Sequence, residues 1–138
     1  MTLQPNFLPV GSVVEYNIGT TDKPEWSATV LDCQDLDWLV RSKDDFNLSH
    51  RPVPLTPEIL TEWCGFEKKG NDEFIFIDNE SRMILEFTEL YKQGGRGVFY
   101  SNYPDLNPHT CIAYVEFLHQ LQHLYSALTQ TVLPITIK

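Results

Sequence analysis

Apolar residues recur at helical spacing near the end of the chain, and this stripe restricts the fold more than any other feature. Tyr114, Phe117, Leu118, Leu121, Leu124, Tyr125 and Leu128 line one side of a helix expected over about residues 108–128, opened by Asn107-Pro108. Glu116, His119, Gln120 and His123 take the other side. Such a face must be buried against another element, and the sequence upstream offers a β-sheet. Phe74-Ile75-Phe76-Ile77 and Met83-Ile84-Leu85-Glu86-Phe87 flank the polar turn residues Asp78-Asn79-Glu80-Ser81, the pattern of a hairpin. The first of these runs is apolar on both faces, which suits an inner strand. The expected class is α+β, with the C-terminal amphipathic helix packed on an antiparallel hairpin sheet.

The rest of the chain supplies shorter elements. Gly11–Tyr16 and Trp26–Leu31 read as strands joined by a turn over Gly19–Pro24. Asp32–Asp37 reads as a polar turn and Trp38–Ser42 as a third strand, so the N-terminal part is expected to be a short-strand meander or a small SH3-like curl. Asp44–Pro54, with Pro52 and Pro54, reads as irregular. A short helix follows over about 57–64, with Thr56 as N-cap, Pro57 in the first turn and Gly65 as the left-handed terminator. Tyr91–Gly97 reads as a turn into a strand at Val98–Tyr100, and Leu133–Ile137 as an edge strand that tolerates Pro134.

A chain of 138 residues, 42% of them apolar and 12% aromatic, can bury a core without a disulfide or metal. It is expected to form a single domain, 1–138, with a strand-rich part over 1–50 and a helix–hairpin–helix part over 51–138. Its three cysteines, Cys33, Cys64 and Cys111, form no CxxC pair and suggest neither a disulfide framework nor a zinc site. No apolar run approaches a membrane span, and the first residues carry no basic leader, which implies a cytoplasmic protein. The net charge of −9 lacks the cationic footprint that phosphate backbones require, and weighs against nucleic-acid and anionic-lipid partners. A protein partner is the expectation; the sequence leaves the oligomeric state open.

Two segments resemble a known family. Pro52-Val53-Pro54-Leu55-Thr56 with Leu60 and Cys64-Gly65-Phe66 resembles a P-x-PLT…L…GF box, and Val115–Thr129 resembles a VHxLQNLYxALTG box. Both boxes occur in small proteins of Bacteroidetes prophages and mobile elements. Glu116, His123 and Gln130 replace the usual His, Asn and Gly of the second box. The resemblance implies a cytoplasmic bacterial accessory protein; it carries no activity and therefore no catalytic residue.

Several groupings invite chemistry. Glu116, His119 and His123, at i, i+3 and i+7 of the expected helix, would suit a divalent transition metal, because side chains one turn apart converge. A solvated helix face is the simpler account, with no cofactor. Cys111 would lie in the first turn of that helix, two residues after His109, but i and i+2 side chains diverge and an inert thiol is expected. Cys64, near a helix C-terminus, is placed worse for a thiolate. Gly94-Gly95-Arg96-Gly97 lacks the Lys-Ser/Thr ending of a phosphate loop and reads as a hairpin turn.

Asp32, Asp35, Asp37, Asp44 and Asp45 concentrate negative charge beside Trp38. They read as solvated surface, with an acidic interaction patch over Asp32, Asp35, Asp37 and Trp38 as the functional alternative. Trp26, Trp38, Trp63 and six tyrosines exceed what a core of this size demands, and aromatics concentrate at interfaces. The sequence leaves enzyme activity undecided. It favours a non-enzymatic binding or accessory protein of a bacterial mobile element. The alternative is a metal-binding protein or metal-dependent enzyme on the C-terminal histidines.

Overall fold

Short strands with β-branched or aromatic residues alternate with capped helices, and the fold is α+β, as the sequence implies. The structure, a computed structural model, describes residues 10–70, 73–77, 82–86, 96–101 and 111–138. The chain divides into two compact units, Met1–Pro54 with Phe117–Thr131, and Leu55–Glu116 with Val132–Lys138. Among the described residues no helix is long and apolar enough to cross a membrane.

In the first unit, β1 (Val13–Asn17), β2 (Trp26–Val30) and β3 (His50–Pro52) form an antiparallel sheet in the order β2-β1-β3. The β1–β2 connection turns on one side chain. Asn17 Oδ1 accepts from Gly19 N–H and Glu25 N–H, each at 2.9 Å. Gly19 has no room for a side chain, because a Cβ there would stand 2.4 Å from the Lys23 carbonyl oxygen.

Two sequence expectations fail between β2 and β3. Trp38–Ser42 is not a third strand: Cys33–Arg41 is a helix, α1. Trp38-Leu39-Val40 looks β-like in isolation, but Asp32, expected in a turn, is an N-cap. Its Oδ1 accepts from Asp35 N–H at 2.9 Å, and Asp35 Oδ2 accepts from Asp32 N–H at 3.0 Å. This reciprocal box starts a helix, and the helical period then buries Leu39 while leaving Val40 67% exposed. Asp44–Pro54 is not irregular either. Lys43–Ser49 is α2, with Asp44 and Asp45 in its first turn at the positive end of the dipole, and β3 follows directly. Val14, Leu31, Leu39 and Phe46 form the core beneath these helices, with Leu36 against it.

The expected helix over 108–128 is also corrected. Cys111–Val115 is a strand, β8, and the helix, α3, spans Leu118–Thr129. Pairing with a neighbouring strand overrides the apparent helical stripe, and Ile and Val in Cys-Ile-Ala-Tyr-Val suit that pairing. The backbone at Phe117 is extended, and Gln120 Oε1 reaches back to accept from Phe117 N–H at 3.1 Å. Leu118, Leu121 and Tyr125 of the anticipated stripe are buried. α3 lies beside β1, where the Gln122 amide behaves like one more strand residue. Its Oε1 accepts from Val13 N–H at 2.8 Å, and its Nε2 donates to the Gly11 carbonyl at 3.0 Å.

The second unit is an antiparallel meander of β4 (Glu67–Lys69), β5 (Glu73–Ile77), β6 (Arg82–Glu86), β7 (Arg96–Ser101) and β8, in that order. The expected hairpin is β5–β6, and β5 lies inside the sheet as its apolar faces suggest. Phe74, Leu85, Val98 and Ala113 stand opposite one another across four strands. The first three of these are buried, as are Met83 and Val115.

Thr56 Oγ1 accepts from Ile59 N–H at 3.2 Å, as its capping chemistry implies, and Gly65 is left-handed at φ 74°. Between them the coil widens into a π-helix over Ile59–Trp63, in which Cys64 N–H donates to the Ile59 carbonyl at 3.1 Å. Leu133–Ile137 forms no strand. Leu133 is buried, and Thr136 N–H donates to the Trp63 carbonyl at 2.9 Å. The expected turns over Asp78–Ser81 and 91–95, and the Asn107-Pro108 opening, lie outside the described residues.

Candidate functional site

The alternation of β1 puts Val14 and Tyr16 on one face of the first sheet, the first in the core and the second at its rim. β3 pairs antiparallel with β1 so that His50 stands opposite Tyr16, and their rings approach to 5.0 Å between centroids. α2 runs straight into β3. Phe46, one helical turn before His50, therefore stacks flat on the imidazole, 3.8 Å between centroids and 3° between planes. α1 contributes Trp38, edge-on to both rings at 5.4 Å from Phe46 and 5.5 Å from His50. Three aromatic rings from three elements thus converge on one imidazole.

His50 is 4% exposed. Its Nδ1 lies 3.1 Å from the Phe46 carbonyl oxygen and 2.9 Å from Ser49 Oγ. A carbonyl only accepts, so Nδ1 carries the proton of the neutral ring. Burial lowers the His50 pKa, opposed by the Phe46 carbonyl and the negative charge of Asp35. At neutral pH the centre of the cluster is an uncharged, fixed ring. Trp38 and Tyr16 around it each remain 40% exposed.

The acidic residues flagged in the sequence occupy distinct positions. Asp35 sits one turn before Trp38 on α1, close enough for its charge to act on His50. Asp32 and Asp35 form the capping box, and the Asp35 backbone N–H, with help from the Asp35 side chain and the Gln34 N–H, holds the Asp32 carboxyl below its usual range. Asp37 accepts from Arg41 Nε at 3.1 Å on the exposed side of the helix. Asp35 and Trp38 are therefore brought together at the aromatic cluster, whereas Asp37 faces its own cation. Sequence reasoning missed Tyr16, Phe46 and His50. The alternation Val14–Tyr16 was a usable signal for the first; the other two depend on a β1–β3 pairing with no local signature.

The opposite face of the same sheet holds a second aromatic grouping. Arg51, the residue after His50, points the other way; its guanidinium lies 4.1 Å from the Trp26 ring centroid. Its Nε is 2.5 Å from Glu15 Oε2, directly across the β1–β3 ladder.

The three residues considered for a metal differ in their surroundings. Glu116 is exposed and precedes the helix instead of lying on it. His123 is exposed, but His119 is 1% exposed, on the side expected to be polar. Among the described residues His119 Nδ1 has no hydrogen-bond partner, and burial pushes its pKa down to about 4. Among the described residues no group of three His, Cys, Asp or Glu is arranged to hold a metal ion.

Cys111 lies on β8 rather than in a helical first turn, and its thiol donates to the Ala113 carbonyl at 3.3 Å; His109 is outside the described residues. Cys64 is buried and its pKa is pushed up to about 12. Arg96 and Gly97 of the glycine-rich segment belong to strand β7, while Gly94 and Gly95 lie outside the described residues. No family model matches the chain, and neither a curated protein nor a solved structure does.

Proposed function

We propose that the chain is a non-enzymatic binding or accessory protein that receives a protein partner on the acidic, aromatic surface of its first unit. The observation that carries this reading is the half-exposed pair Trp38 and Tyr16, held on the buried His50–Phe46 stack with the Asp35 carboxylate alongside. Indole and phenol rings whose bodies are fixed lose little freedom on binding, which makes them effective anchors. The association with a bacterial mobile element rests on the two sequence boxes alone. The alternative, metal chemistry at Glu116, His119 and His123, has less to stand on, since only His123 of the two histidines is open to solvent.

The test uses the full chain as bait in its native cells, in parallel with Trp38→Ala and with Lys68→Ala, which alters the exposed strand β4. A partner retained by wild type and Lys68→Ala but lost with Trp38→Ala is the expected result. Equal retention by all three would remove the surface from consideration.

A further inference from the structure

The first unit builds one cation site for its own use, and the Trp38 cluster on the other face repeats two of its three parts. On one face of the sheet, the Trp26 indole, the Glu15 carboxylate and the Arg51 guanidinium form a closed set, with the cation over the ring and the carboxylate on its Nε. On the other face, Trp38 presents a half-exposed indole and Asp35 a carboxylate one turn away, with the half-exposed Tyr16 ring against the same His50 imidazole. The nearby cation along α1, Arg41, is engaged by Asp37 at 3.1 Å. From the N-cap Asp32 to Ser49, five aspartates accompany two cationic residues, Arg41 and Lys43, so the local field favours an incoming positive charge.

We infer that the Trp38–Tyr16–Asp35 surface takes an arginine or lysine side chain of a protein partner, seated against the exposed rings with Asp35 as its counter-ion. This rests on the protein-binding reading above and adds the chemistry of the inserted residue. Asp35 already accepts from Asp32 N–H through Oδ2, which fixes its rotamer. His50 is neutral and does not repel the guest. An arginine suits the surface better than a lysine, because a planar guanidinium can lie on a ring and bond a carboxylate at once, as Arg51 does.

The experiment titrates the isotope-labelled full chain with end-blocked tripeptides Gly-Arg-Gly, Gly-Lys-Gly and Gly-Gln-Gly, following the three indole N–H signals by NMR. The arginine peptide is expected to bind about 2- to 5-fold more tightly than the glutamine peptide. It should move the Trp38 signal and leave Trp26 still, since Arg51 occupies that ring. Added salt should erode the difference.

Trp38→Leu, followed on the backbone amide signals of α1 because the indole reporter is gone, should abolish the arginine-peptide response. Asp35→Asn, whose amide oxygen still accepts at the capping position, should erase the preference while leaving the fold intact; it decides the matter if Trp38→Leu does not fold. Equal binding of the glutamine and arginine peptides, or shifts confined to Trp26 or Trp63, would overturn the inference. If partner capture still depends on Trp38 in that event, the binding surface stands and only its preference for a cation falls. If capture is indifferent to Trp38, the surface itself falls.

Discussion

In the first unit, side-chain hydrogen bonds and ring geometry set the structure at almost every junction. Asn17 ties the β1–β2 connection, Asp32 and Asp35 start α1, Gln122 joins α3 to β1, and Phe46 stacks on His50. Among the described residues of the second unit, apolar strand faces stand in register, with Phe74, Leu85 and Val98 across neighbouring strands, and the Thr56 hydroxyl caps the coil before the π-helix. Polar geometry is directional, so it can hold Trp38 and Tyr16 half-exposed in a fixed arrangement. Apolar burial is non-directional and stabilises without positioning a surface group. A unit that must present a shaped surface benefits from the first kind of fastening.

Truncating the two cores tests this contrast with the largest effects. Leu85→Ala should cost about 2–5 kcal/mol and Phe46→Ala about 3–5 kcal/mol, read from denaturant unfolding. The costs overlap, but the consequences for the site should separate. Phe46→Ala removes the ring beneath His50 and should shift the Trp38 indole signal, whereas Leu85→Ala should leave that signal in place. If Leu85→Ala disturbs Trp38 as strongly as Phe46→Ala does, the assignment of positioning to the first unit alone is wrong.

What was legible in the sequence follows the same division. The β5–β6 hairpin, the inner place of β5 and the Thr56 and Gly65 boundaries could be read directly, because apolar alternation and local capping chemistry are written in consecutive residues. α1 was hidden by its own cap. Asp32 and Asp35 resemble turn residues until their three-residue spacing is recognised as a reciprocal box, and Trp38-Leu39-Val40 then carries a helical rather than a strand period. β8 was hidden because Tyr114 coincides with the helical stripe of α3, and only pairing with β7 distinguishes the two. At the site, Trp38 and its aspartates were visible as composition. His50 was not, since its significance comes from β3 reaching β1 across the two helices.

The buried histidines sharpen the comparison through pH. For both, the folded pKa lies below the ordinary 6.5, so the unfolded chain binds more protons over that interval and stability falls as pH drops below 6.5. For His119 the interval extends down to about 4, corresponding to a loss of about 3 kcal/mol over the full range. His50 contributes in the same direction, opposed by Asp35 and the Phe46 carbonyl. His119→Leu should therefore flatten most of the acid slope in denaturant-unfolding measurements between those limits. His50→Leu should flatten less of it but should disturb the Trp38 and Tyr16 signals, which His119→Leu should spare. A slope unchanged by His119→Leu would show that its burial is relieved in solution.

The smallest effect asks whether directional fastening is needed for the surface or merely accompanies it. Asp32→Ala removes the side chain that accepts from Asp35 N–H and should lower stability measurably, while Asp32→Asn keeps an equivalent acceptor and should lower it much less. The acid dependence of the wild type has a defined sign. The folded pKa of Asp32 is lowered, so its contribution is complete above 3.8 and is lost as pH falls through the folded value. Asp32→Ala should lack that loss. Because the cap lies at the start of the helix that carries both Asp35 and Trp38, fraying there should cost more in arginine-peptide affinity than a comparably destabilising change in the second unit. Equal affinity losses from two changes of equal stability cost would mean that the surface depends on how stable the chain is, and not on where its polar geometry lies.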